Sequence, residues 1–164
     1  MNSIEKFELT NLKIGYIVDK IDNGEIALPD IQRSFVWNTT KVRDLFDSLY
    51  KGLPIGTIIL WEINKPIEYI KINLNDFKNI PNLLVIDGQQ RLTSLYTIIK
   101  NREIISMNTK RTKLKIAFNP FIKKFEVSNV AIENDIYWIS DISEIFGKGT
   151  YNFIESFKKD LKLN

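Results

Sequence analysis

Apolar positions along the chain alternate between two rhythms, one of three to four residues and one of two. Leu12, Ile14, Ile17, Val18 and Ile21 follow the first rhythm and predict a helix with one buried face. Thr10 or Asn11 is placed to cap its start, and Asn23-Gly24 supplies a left-handed stop. Glu25-Ile26-Ala27-Leu28 reads as a short extended segment. Val42, Leu45, Phe46 and Leu49 return to helical spacing, with Asn38, Thr39 or Thr40 as cap and Gly52 as stop. Residues 57–63 (Thr-Ile-Ile-Leu-Trp-Glu-Ile) carry the β-branched and aromatic content of a strand, with Trp61 expected in the core. Residues 68–72 alternate and predict an edge strand. Leu83-Leu84-Val85-Ile86 is a continuous apolar run and predicts a central, buried strand. An amphipathic helix is expected to follow over residues 89–100. Further on, residues 113–118, 123–127 and 136–139 predict a second sheet region. A short helix capped by Ser140-Asp141 and a last helix from Thr150 complete the chain.

The junction between the central strand and its helix holds Asp87-Gly88-Gln89-Gln90-Arg91. Strand-to-helix turns make anion sites, because first-turn N–H groups lack internal partners and the helix dipole is positive there. Gly88 allows close backbone approach to a ligand. Arg91 is a permanent forked cation suited to phosphate. Asp87, ending the strand, suits a magnesium ligand or a water-orienting group, and Gln89 or Gln90 is able to orient a water. The plainer possibility is equally open at this level: Asp87 caps the helix and Arg91 pairs with Glu62 or Glu68. The spacing is not that of a Walker motif.

A second cluster lies in the loop Pro29-Asp30-Ile31-Gln32-Arg33-Ser34-Phe35-Val36-Trp37. Arg33 is able to reach phosphate and Gln32 a base or ribose edge. Phe35 and Trp37 are expected in the core rather than on a base. Asp44 and Asp47 share a helix face, which usually means a solvated acidic face and not a metal pair. The cluster Lys110-Arg111-Thr112-Lys113 reads as an ordinary charged loop or hairpin. Gly52-Leu53-Pro54-Ile55-Gly56 reads as a turn that sets the register of the next strand.

Composition narrows the chemistry. The chain has 164 residues, 44% hydrophobic and 26% charged, enough for one domain with a real core. It has no cysteine and no histidine, which removes thiol nucleophiles, histidine bases and histidine or thiolate metal sites within this chain. Any metal would take oxygen ligands, favouring magnesium, manganese or calcium. A net charge of +3 permits nucleic-acid contact without arguing for it. No stretch approaches the roughly 20 apolar residues of a membrane span, so the default location is the cytoplasm.

Two blocks in this order resemble one family. The first is residues 28–37 followed by Leu45-Phe46-Asp47-Ser48-Leu49-Tyr50-Lys51-Gly52-Leu53-Pro54-Ile55-Gly56; the second is residues 85–95, centred on Asp87-Gly88-Gln89-Gln90-Arg91. Together they resemble the N-terminal domain of GmrSD-type restriction endonucleases, closely over residues 8–100 and loosely beyond. The resemblance implies an α+β fold of ParB/sulfiredoxin-like type, with a small mixed sheet and flanking helices. It implies a single domain over 1–164, with a core at about 8–128 and the start of a helical extension, truncated, at 129–164. It implies a domain that binds and hydrolyses a nucleoside triphosphate, with Mg2+, in a phage-defence system acting on modified DNA. Asp87, Gln89 and Gln90 would then be catalytic, with Asp87 also the magnesium ligand. Gly88, Arg91, Gln32 and Arg33 would hold the phosphates. DNA, an HNH-type nuclease domain or subunit, and a further copy of the chain are the implied partners. The nuclease itself needs histidine and cannot reside in these residues. Two other functions stay open: a metal-dependent nuclease recruiting Glu62, Asp44 or Asp47 beside Asp87, and a non-catalytic DNA-binding module.

Overall fold

The structure is a computed structural model that describes residues 7–29, 35–63, 69–70, 80–105 and 111–162. In chain order the elements are α1 (Ile14–Asp22), β1 (Ile26–Pro29), α2 (Thr39–Tyr50), β2 (Ile59–Glu62), β3 (Tyr69–Ile70), β4 (Leu83–Asp87), α3 (Gln89–Ile99), β5 (Ile104–Ile105), β6 (Arg111–Thr112), β7 (Ile116–Asn119), β8 (Lys124–Val127), α4 (Val130–Glu133), α5 (Ser143–Lys148) and α6 (Thr150–Asp160). The class is α+β, as expected.

The main sheet is small and mixed, in the order β2-β4-β1-β3. β4 runs parallel to β1 (Ile26 opposite Leu83) and antiparallel to β2 (Glu62 opposite Leu83). β3 pairs antiparallel with β1 at the far edge, where an edge strand was expected. The run 83–86 is thus an inner strand, and Leu84 and Val85 are fully buried. Its last apolar residue departs from the expectation: Ile86 is 44% exposed. The cause is a slip in register. Asp87 lies opposite Ile59 but Val85 lies opposite Leu60, so Ile86 is an extra residue on β4. Such a bulge bends the strand locally and re-aims the residue that follows. Trp61 also departs from the expectation, being 51% exposed. β2 is an outer strand, so a residue on its open face has no second neighbour to cover it.

Two smaller pairs complete the sheets. β5 pairs with β6, and β7 forms a hairpin with β8. Of the expected strand 136–139, only Ile139 joins, through a single bridge to Phe118; the residues before it form a turn, with the Trp138 N–H on the Asp135 carbonyl. The basic cluster resolves into β6 plus Lys113, which faces Asp141 at 3.7 Å; Lys110 lies outside the described residues.

α3 is the central helix. Nine of its eleven residues are buried, polar ones included. A simple amphipathic helix was expected. Short polar side chains make the fuller burial possible, because they bond back to the helix backbone. The Ser94 hydroxyl donates to the Gln90 carbonyl at 2.7 Å, and Thr97 to the Ser94 carbonyl at 3.1 Å. Around α3 one continuous core gathers Val18 and Ile21 of α1, Val42, Leu45 and Phe46 of α2, Ile116 and Phe125 of the hairpin, and Ile142 and Phe153 beyond it. Phe35 belongs to this core and Trp37 packs against it, as expected. α1 starts one turn later than Thr10 or Asn11 would set it, with Lys13 at the cap position and no side-chain cap. Among the described residues no helix is long and apolar enough to cross a membrane.

Candidate functional site

The candidate site is the turn from β4 into α3. Gly88 stands between them at φ +87, ψ 11, a left-handed conformation that other residues adopt only with strain. That conformation swings the chain directly from strand to helix, and the cap position is Gly88, which has no side chain to cap with. Asp87 therefore does not act as the helix cap. Its side chain is 65% exposed and meets Arg91 Nη2 through Oδ2 at 3.0 Å. The anticipated pairing of Arg91 with Glu62 or Glu68 is replaced by this contact with Asp87; Glu68 itself lies outside the described residues.

The two glutamines are buried, Gln89 at 8% and Gln90 at 5% exposure. Gln90 Oε1 accepts the N–H groups of Val36 at 2.9 Å and Trp37 at 3.3 Å. The stretch that follows the Gln32-Arg33 block is thereby fastened to the first turn of α3. Gln32 and Arg33 themselves lie outside the described residues. One turn below Gln89, Thr93 is buried and its hydroxyl has no hydrogen-bond partner among the described residues.

Arg91 is embedded more than the spacing suggested. Its side chain is 18% exposed. Nη1 donates to the Ile55 carbonyl, and Nη2 donates to the Thr57 carbonyl at 2.8 Å as well as to Asp87. Gly56 closes the turn between those carbonyls at φ +86. Ile55, Gly56 and Thr57 thus belong to the site, although periodicity marked them only as a turn. The one available signal was the glycine at the end of Gly52-Leu53-Pro54-Ile55-Gly56, and it does not reveal which side chain the turn wraps.

The donors for a metal are few. Asp87 offers one exposed carboxylate. Glu62 sits at the other end of the β2–β4 pair, opposite Leu83, four residues from Asp87 along the strand; that is about 13 Å. Asp44 and Asp47 are engaged on α2 by Arg43 at 2.7 Å and Lys51 at 2.6 Å. Among the described residues no three acidic groups come together to hold an ion. Magnesium fits here only in the manner in which it is commonly held, by one carboxylate together with a substrate's phosphates.

The model of the family described as GmrSD restriction endonuclease, N-terminal domain, matches residues 14–163. An uncharacterized protein of Methanocaldococcus jannaschii is 36% identical over 133 residues, which are 76% of this chain and 22% of that protein. The chain therefore spans about a fifth of the length of this curated relative.

Proposed function

We propose that this chain, which belongs to the GmrSD restriction endonuclease N-terminal domain family, binds and hydrolyses a nucleoside triphosphate and so regulates a phage-defence restriction system acting on modified DNA. The observation that carries the proposal is the left-handed turn at Gly88, which swings the chain from an inner strand straight into α3 beside the exposed Asp87 carboxylate. Backbone N–H groups and the helix dipole favour an anion at that point, and a phosphate chain is the anion that also gives Asp87 a task. Asp87 orients the attacking water. Gln89, the first residue of α3, lies next to the same phosphates and holds the water or the terminal phosphate. A magnesium ion bound between Asp87 and the nucleotide would neutralise phosphate charge. Gln32 and Arg33 keep the role that the resemblance implies, as the opposite wall; Gln90 supports this by fastening the adjoining Val36 and Trp37 to the motif.

DNA cleavage belongs to another part of the system, an HNH-type nuclease domain or subunit, because the chain contains no histidine. A cytoplasmic location goes with that role. The rival metal-dependent nuclease loses ground to geometry: Glu62, Asp44 and Asp47 do not gather around Asp87. Calorimetry with each nucleoside triphosphate in magnesium, together with phosphate release, is the test. The expected result is saturable binding of a triphosphate and loss of turnover in Asp87→Ala with binding largely retained. Absence of binding to every triphosphate would overturn the proposal, and undiminished hydrolysis by Asp87→Ala would remove Asp87 from the mechanism.

A further inference from the structure

Gln90 and Arg91 read, from the sequence, as groups that touch a nucleotide. In the fold their polar atoms are committed to the protein itself. Both N–H bonds of Arg91 Nη2 have acceptors, the Thr57 carbonyl and Asp87 Oδ2, and Nη1 serves the Ile55 carbonyl. A guanidinium holds five N–H donors in a rigid fork, and the paired edge that grips a phosphate bidentately is thereby already taken. The surroundings are shaped to the guanidinium. A Cβ on Gly56 would stand 2.1 Å from Nη1, and one on Gly88 would stand 3.2 Å from Nη2. Both glycines also have left-handed backbones. On the neighbouring residue, the Gln90 amide oxygen takes two backbone N–H groups of the 35–38 stretch. Adjacent residues of one helical turn thus hold two separate loops.

We infer that Gln90 and Arg91 are positioning residues. Gln90 suspends the Val36–Trp37 stretch and Arg91 the Ile55–Thr57 turn from the first turn of α3, making the two walls of the site, while nucleotide contact falls to Asp87 and the Gly88-Gln89 turn. The inference rests on the nucleotide site proposed above for its consequence, but not for the clamp itself. It assigns Gly56 a role that no phosphate contact would give it: room for the Arg91 fork.

The experiment compares Arg91→Lys, Gly56→Ala and their double variant, with Gln90→Met and Gln90→Glu as a second pair, each held at a temperature where it is folded. Lysine keeps the charge but cannot serve three acceptors at once. A positioning role predicts that Arg91→Lys and Gly56→Ala each weaken triphosphate binding about tenfold, and that the double variant is no worse than the poorer single. A direct phosphate contact predicts that Arg91→Lys keeps near-native affinity, or that the two losses multiply; either result overturns the inference. Gln90→Met should expose the Val36 and Trp37 amides to faster hydrogen exchange, whereas Gln90→Glu, which keeps an acceptor oxygen, should restore protection and affinity; equal exchange in both would overturn the role of Gln90. Exchange and the coupling of Arg91→Lys to Gly56→Ala in denaturant unfolding are read without nucleotide, so they decide the clamp even if the wild type binds no triphosphate. If Gly56→Ala does not fold, hydrogen exchange of the Ile55–Thr57 segment in Arg91→Lys decides in its place: faster exchange there supports the clamp, and unchanged exchange counts against it.

Discussion

Tyr96 is the largest fully buried side chain among the described residues, and its hydroxyl donates to Asp22 Oδ1 at 3.1 Å. Asp22 also faces Lys100 at 3.4 Å and Arg102 at 3.7 Å, and Lys100 meets Asp19 at 2.8 Å. This small network joins α1 to the far end of α3, the helix that carries the candidate site at its near end. Burial, and then the negative charge of Asp22, push the Tyr96 hydroxyl up to about 12 from an ordinary 10.0. The folded protein therefore holds the phenolic proton more tightly than the unfolded chain. The stability this contributes is complete below the ordinary value and is lost as pH rises from 10.0 toward about 12. Tyr96→Phe should cost about 1 kcal/mol at neutral pH through the lost hydrogen bond, and should flatten the alkaline fall in stability. Denaturant midpoints measured across that range check both. At this scale the motif Asp87-Gly88-Gln89-Gln90-Arg91 was legible in the chain, and so were the strand before it and the helix after it. The partners of its side chains were not. Hydrogen bonds that Gln90 accepts from N–H groups 54 and 53 positions away, and that Arg91 donates to carbonyls 36 and 34 positions away, leave no periodic trace.

At the scale of elements, α2 shows how much a local signal settles. Asn38 was one of three possible caps, and its side chain accepts the Lys41 N–H at 2.9 Å. Gly52 follows the last turn at φ +68, with its N–H on the Leu49 carbonyl. Asn38→Ala should cost about 1 kcal/mol in denaturant unfolding. Packing then places α2 on the β7–β8 hairpin. The rings of Phe118 and Phe125 lie 4.5 Å apart and that of Tyr50 5.3 Å from Phe118, while Arg43 reaches Glu126 at 3.1 Å. Lys124, at 2.7 Å, and then Arg43 hold the Glu126 carboxyl below the ordinary 4.5. A lowered value means that this stability is present above 4.5 and is lost as pH falls through the folded value. Glu126→Gln should therefore weaken the protein near neutrality and remove part of its acid sensitivity, read as a shallower fall of the unfolding midpoint as pH drops below 4.5. Elements with short or irregular signals were less legible. β5 and α4 were not anticipated, and β6 only as one arm of a charged loop or hairpin, because two to four residues carry too few periods to register. The expected strand at 136–139 became a turn, because its alternation in sequence had no paired strand to extend along beyond Ile139.

At the scale of the molecule, the last third of the chain is not a separate body. Ile139, Ile142 and Phe153 share one core with α1, α2 and α3, and Phe153 is 8% exposed. Phe153→Ala should cost about 3 kcal/mol, with a shared loss of amide protection in α3 and α5, whereas an independent appendage would lose protection only in α6. The α+β class, the order of the principal helices and strands, the absence of histidine and thiol chemistry, and the family were all readable along the chain, because each depends on residue identity or on spacing within one element. Tertiary structure alone decided that Trp61 and Ile86 face outward, that α3 is buried around most of its circumference, and that Gln90 and Arg91 tie down two distant loops. Those outcomes depend on which strand is outermost, where the register slips and which backbone carbonyls arrive beside a side chain, and contacts made across dozens of residues are fixed only when the whole chain packs.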